Sequence, residues 1–209
     1  MILTKQSIQT IEEISLDDYL THYAEQHFEW VEGRLVALSP IHIKYDEVVV
    51  YLRILLQAYF EIKKTGRIVG EPFVLRLPEY PNRRREPDIQ VILNDNPNEL
   101  KETYMDGAPD ICIEVVSPES TRRDYGDKFQ EYETGKVAEY WLIDPVRQES
   151  HFYRLSENER YQSQAIDEAG YYQTLKLPKL KFHIPTLWQA QLPGPSVVVK
   201  AIQDMLSGD

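Results

Sequence analysis

"ICIEVVSPESTRRDYGDKFQEYETGKVAEYWLIDP", from Ile111 to Pro145, decides how the chain folds. Its ends, "ICIEVV" and "EYWLID", are short apolar runs rich in β-branched and aromatic residues, as strands buried on both faces are. Between them, "TRRDYGDKFQEYETG" sets Tyr125, Phe129 and Tyr132 on one helical face, with Gly135 as the stop. Strand, helix and strand over this length predict a βαβ crossover with parallel strands. One residue breaks the pattern. Glu114 sits mid-strand, where a carboxylate needs a cation, a metal or an open face to water to offset its desolvation.

Working outward, Ser15 and Asp18 predict the start of a short helix in "LDDYLTHYAEQ". "FEWVEGRLVALSP" predicts two strands about Glu32-Gly33, stopped by Pro40. Val48, Leu52, Leu55, Leu56, Tyr59 and Phe60 recur at helical spacing, so the longest helix lies here and ends by Gly66. "RIVGEPFVLRL" and "PDIQVIL" predict strands separated by the loop "PEYPNRRRE", and Asn94 to Pro109 reads as a polar loop. Beyond Asp144, "SHFYRL", "RYQSQAI" and "YYQTLKL" alternate like an antiparallel meander, and "SVVVKAIQDML" predicts a final helix. The fold class is α/β (α+β): one domain over residues 1–209, with a mixed central sheet flanked by helices and an antiparallel C-terminal meander.

The 209 residues suffice for a substantial core, and 42% hydrophobic with 27% charged residues is a globular balance. Cys112 is the sole cysteine, which excludes an intrachain disulfide and a cysteine-based zinc site. The most apolar run, Val48 to Phe60, is broken by Arg53 and Gln57, and no cationic leader opens the chain. A soluble, cytoplasmic protein with no membrane partner is expected. The net charge of −11 argues against a generic nucleic-acid coat, whose affinity comes from neutralised phosphates. Its distribution is uneven: Glu12 to Glu32 holds seven acids and no Lys or Arg, whereas Lys63 to Arg85 holds seven bases and two acids. A local basic face ending at Arg83 to Arg85 could meet a polyanion.

Three polar residues stand at the edges of apolar elements that do not require them: Asp88 after Pro87, Glu114, and Lys128 on the following helix. Lys128 lies about 40° from Tyr132 around that helix, so its amine can reach the sheet. Two carboxylates from neighbouring strands with a nearby lysine suit a Mg²⁺ site for phosphodiester hydrolysis. Each residue also has an ordinary structural reading. Asp88 fits a turn after proline, Glu114 an ion pair with Arg122 or Arg123, and Lys128 a solvated pair with Asp124. Glu32, before Gly33, reads locally as a turn residue. The five histidines show no HxxxH or HxH spacing, and no nucleophile elbow or glycine-rich phosphate loop is present.

The blocks "FEWVEGRLVALSP", "EPDIQVIL", "APDICIEVVSPES", "DYGDKFQEYETGKVAEYWLIDP" and "LKFHIPTLW" together resemble the Uma family of restriction endonucleases, the second of that name, over about residues 16–188. A homodimer, each subunit taking one strand, is expected if both strands of a duplex are cut. The resemblance implies the PD-(D/E)XK nuclease fold, a DNA substrate and Mg²⁺ with Mn²⁺ as substitute. It assigns Asp88 and Glu114 as catalytic acids and metal ligands. The lysine normally two residues after the second acid is replaced by Val116, which transfers its role to Lys128. Glu32 becomes a third metal ligand, with Tyr132, Asp124 and Arg85 as accessory residues. Many members carry a histidine a few residues after the first Ser-Pro, where this chain has Lys44-Tyr45-Asp46. Residues 189–209 lie outside the resemblance.

Two other readings compete. The acidity and the missing histidine fit a non-catalytic module for nucleic-acid or protein binding on the same scaffold. Carboxylate acid–base chemistry on a glycoside leaves Lys128 without a task.

Overall fold

Ser15 starts the first helix: its Oγ accepts from the Asp18 amide, and α1 runs Leu16–His22 with two aspartates in its first turn. These are the first elements of a computed structural model that describes residues 13–24, 26, 28–37 and 42–207. Strands β1 (Phe28–Val31) and β2 (Arg34–Ala37) form the expected hairpin. Glu32 (φ 51°) and Gly33 (φ 80°) occupy the two left-handed positions of its tight turn. The expected stop at Pro40 lies outside the described residues.

Helix α2 (Ile43–Lys63) buries Val48, Leu52, Leu55, Leu56, Tyr59 and Phe60 along one stripe, and Lys64 caps it in the left-handed conformation. Next come β3 (Gly66–Val69), β4 (Val74–Arg76), β5 (Arg83–Arg84) and β6 (Ile89–Leu93). The two-residue β7 (Glu99–Leu100) and β8 (Tyr104–Asp106) precede β9 (Ile111–Val115). A π-helical turn, Arg123–Lys128, leads into α3 (Phe129–Thr134), and β10 (Glu139–Asp144) completes the crossover. Strands β11 (Glu149–Leu155), β12 (Tyr161–Gln164), β13 (Tyr171–Gln173) and β14 (Lys181–His183) follow. A 3₁₀ turn, Ile184–Trp188, and helix α4 (Pro195–Ser207) end the described chain.

Six strands form the main sheet in the order β12-β11-β10-β9-β6-β3. Only β9 and β10 pair in parallel, as the crossover predicts; the other neighbours are antiparallel. Alternation along β9 divides two cores. Ile111, Ile113 and Val115 face α2 and α4, while Cys112 shares the opposite core with Tyr132, Tyr140 and Leu142. Each such side chain contributes about 1.5–3 kcal/mol by leaving water. Glu114, two residues from Cys112, points to the α3 side.

Several expectations change in the structure. "RIVGEPFVLRL" is not one strand: Gly70 to Phe73 interrupts it, and β4 leaves the main sheet to pair with β8 inside the expected polar loop. The meander likewise splits, because β13 pairs with β14 in a separate two-stranded sheet. Strand β5 forms within the "PEYPNRRRE" loop and pairs with β1. Local propensity could not reveal these strands, since two or three residues pair only when a distant partner is already in place. Residues 195–207, outside the resemblance, pack Val198 and Ile202 into the α2 core.

Candidate active site

Pro87 ends the approach to β6, and Asp88 stands directly before its first residue. The register pairs Ile89 with Ile113, which brings Asp88 level with Glu114 on the neighbouring strand. Asp88 Oδ2 accepts the Val115 amide at 2.5 Å, and Oδ1 accepts the Tyr45 hydroxyl from α2. Glu114 Oε1 accepts the Tyr132 hydroxyl at 2.6 Å and lies 2.9 Å from Lys128 Nζ. All three of Asp88, Glu114 and Lys128 are buried.

Lys128 is delivered by the π turn. Its ammonium also lies 3.3 Å from Glu29 and 3.4 Å from Asp124, so Asp124 is a buried partner and not part of a solvated pair. A π turn adds one residue to a helical turn and is frequent at functional sites. Here the π turn carries both Asp124 and Lys128 and runs directly into the helix that carries Tyr132.

Glu29, unremarked in the sequence, is the fully buried acid of the site. It lies 2.9 Å from Arg85 and 3.7 Å from Arg123. Arg85 in turn donates to both oxygens of Glu131, at 2.7 and 2.5 Å. The signal for Glu29 was available: it is a charge between Phe28 and Trp30, just as Glu114 is a charge in an apolar strand. Glu32, expected beside Asp88 and Glu114, is not brought to them. It sits at the exposed hairpin turn, 63% accessible, and pairs with Arg83 at 2.8 Å. Glu29 lies in β1 and Glu32 in the turn that follows it, a difference of placement that local reading did not resolve.

The basic stretch also differs from expectation. Arg84 and Arg85 are buried, and Arg83 bonds both Glu131 and Glu32. Of the arginines that read as a face for a polyanion, Arg83 and Arg85 are ion-paired within the protein, and Arg84 turns inward onto the Pro81 and Arg83 carbonyls and the Trp30 ring. Arg122 and Arg123 are not the partners of Glu114; Lys128 is.

Electrostatics separate the buried acids. Burial raises the Asp88 pKa to about 7, with the Glu71 charge adding to it and Lys128, Tyr45 and the Val115 amide opposing. Burial also pushes Glu114 well above the carboxylate range, reinforced by Asp88 and Asp124 and opposed by Lys128. Glu29 suffers the same burial, yet Lys128, Arg85 and Arg123 bring it down to about 2. Burial disfavours the Lys128 ammonium, but Glu114, Glu29 and Asp124 together hold its pKa above the ordinary lysine value. Positive charge is therefore short at Glu86, whose pKa burial and the Glu29 and Glu71 charges raise to about 8, and at the Asp88–Glu114 pair.

That shortage is what a divalent cation would answer, and hard carboxylate oxygens are the donors Mg²⁺ takes. Among the described residues no three His, Cys, Asp or Glu side chains group into a metal cage. Two carboxylates suit Mg²⁺, which keeps waters and substrate phosphate oxygens in its shell. Asp88 and Glu114 thus fit the group that the fold implies.

The family model described as "Putative restriction endonuclease", Uma2, matches residues 16–185. A crystal structure of a "putative nuclease belonging to DUF820" from Anabaena variabilis superposes with a TM-score of 0.69 at 20% identity, covering 84% of this chain and 97% of that one. Its likeness shows the restriction-endonuclease-like fold. No curated protein matches the chain. The matched span contains α1, the β1–β2 hairpin, the main sheet and every residue of the acid–lysine cluster, and on that evidence the chain belongs to the Uma2 family.

Proposed function

We propose that the chain is a Mg²⁺-dependent endonuclease that hydrolyses DNA phosphodiester bonds, with Mn²⁺ as an alternative ion. One observation carries the reading: the buried Asp88, directly before β6, stands level in register with the buried Glu114 of β9, whose carboxylate lies 2.9 Å from the Lys128 ammonium. Family membership supports a nuclease role. Asp88 and Glu114 would hold the ion, and Glu32 is left out of the ligand set because its side chain lies with Arg83. When bound, the cation supplies positive charge at a phosphate oxygen and acidifies water. Asp88 is kept in orientation by the Val115 amide and Glu114 by the Tyr132 hydroxyl. Lys128 stays an ammonium, so it neutralises charge developing at phosphorus and does not act as a base. Glu29 and Asp124 position that ammonium, and Arg85 acts on the site through Glu29.

Purified protein should nick or cut DNA when Mg²⁺ or Mn²⁺ is added, and Asp88→Ala should abolish cutting. Equal cutting by the variant would assign the activity to a contaminant. We also propose a homodimer, one subunit per strand, checked by sedimentation. Residues 1–209 are proposed as one domain acting in the cytoplasm. Among the described residues no helix is long and apolar enough to cross a membrane.

A specific observation favours a second reading, a non-catalytic module on the nuclease scaffold. Lys128 is fully engaged by Glu114, Glu29 and Asp124, and all four are buried. Calorimetric titration with Mn²⁺ separates the two: submillimolar binding lost in Glu114→Ala supports the nuclease, and no binding supports the module.

A further inference from the structure

Helix α2 reaches Asp88 from outside the acid–lysine cluster. Tyr45, in its first turn, donates its hydroxyl to Asp88 Oδ1. Arg53, about two turns further on, donates from Nη2 to the Asp88 carbonyl at 3.1 Å. Gly70 leaves room for this approach: a Cβ there would lie 2.3 Å from the Asp88 carbonyl oxygen and 2.5 Å from Arg53 Nη2. With the Val115 amide on Oδ2, both carboxylate oxygens and the main chain of Asp88 are tied to named donors. A carboxylate offers about four lone-pair positions; two are used here, and the rotation of the group is stopped.

We propose that Tyr45 is a positioning residue that orients the Asp88 carboxylate for the divalent cation, with Arg53 anchoring the main chain behind it. The inference rests on the metal reading given above. Hydrogen-bond partners of ligating carboxylates typically change metal affinity about 10- to 100-fold, because they fix the direction of the ligand oxygens. The Tyr45 ring is packed against the α2 core, so loss of the hydroxyl alone leaves the ring seated.

The test is Mn²⁺ binding by calorimetry, alongside thermal melting, for the full chain and its variants. Tyr45→Phe should bind Mn²⁺ roughly 10- to 100-fold more weakly while still melting in one cooperative transition, lowered by no more than the loss of one buried hydrogen bond. Tyr51→Phe removes the hydroxyl of another buried tyrosine on α2 and should bind as the unaltered protein does. Arg53→Met should also weaken binding, by acting on the main chain of Asp88. Unchanged or tighter binding by Tyr45→Phe overturns the proposal, tighter binding meaning that the hydroxyl and the ion compete. Unchanged binding by Arg53→Met overturns the anchoring role alone. If the unaltered protein binds no Mn²⁺, the metal reading falls and this inference with it.

Discussion

Glu29, Asp88 and Glu114 are three buried carboxylates within one network, and their different ionisation shows how burial and neighbours divide the work. Glu29 has three cations and stays charged; Asp88 and Glu114 share one. The sign for stability follows from proton counts. Between pH 3.8 and about 7 the folded protein keeps a proton on Asp88 that the unfolded chain releases, so metal-free stability falls as pH rises through that window. Asp88→Asn should flatten this fall, raising stability at pH 8 and changing little at pH 4, as read by urea unfolding. Glu29 acts in the opposite sense: its contribution is present above pH 4.5 and is lost as pH falls toward about 2. Lys128→Met leaves Glu29, Glu114 and Asp124 without their shared cation. It should cost about 3–5 kcal/mol in the same assay at pH 8, together with the activity.

At the scale of elements, the π turn and the β3–β4 connection place the site, and two glycines distinguish their constraints. Gly126 lies in the π turn with nothing within 4 Å of an added Cβ. Gly126→Ala should therefore stabilise by about 0.5–1 kcal/mol through reduced freedom of the unfolded chain, seen as a raised melting temperature with cutting retained. Gly70 is the contrary case, since an added Cβ meets the Asp88 carbonyl and Arg53 together. Gly70→Ala should lower the melting temperature and Mn²⁺ affinity in parallel; an unchanged affinity would show that α2 does not transmit its geometry to Asp88. The βαβ crossover was legible because β9, the helix and β10 each carry their own periodicity over enough residues. Strands β5, β7 and β8 were not, being too short to show any period.

For the molecule as a whole, α4 closes the α2 face of the sheet with Val198 and Ile202. Truncation before Pro195 removes both side chains from the core and uncovers the α2 surface they pack on, and should cost about 3–6 kcal/mol, at about 1.5–3 kcal/mol each; a melt indistinguishable from the full chain would deny α4 a part in the core. Net charge sets the encounter with nucleic acid. The chain carries −11, and Arg83 and Arg85 are committed to Glu32, Glu131 and Glu29. This stretch therefore offers few cations to displace counterions, so if it forms the DNA contact the affinity should depend only mildly on salt, with a log–log slope shallower than about −4. A steeper slope would reveal a basic surface assembled from residues outside this stretch.

The sequence by itself determined the helices, the parallel pair β9–β10, and the candidates Asp88, Glu114 and Lys128, because charges set at the edges of apolar elements are visible in one dimension. Only the tertiary structure decided that Glu29 and not Glu32 joins Lys128, that the arginine run turns inward, and that Tyr45 meets Asp88. Those contacts join residues as many as 99 positions apart, from Glu29 to Lys128, and depend on which side of a hairpin turn and which face of a sheet each side chain takes. Strand register and turn geometry set those directions, and both are fixed by long-range pairing that no local pattern encodes.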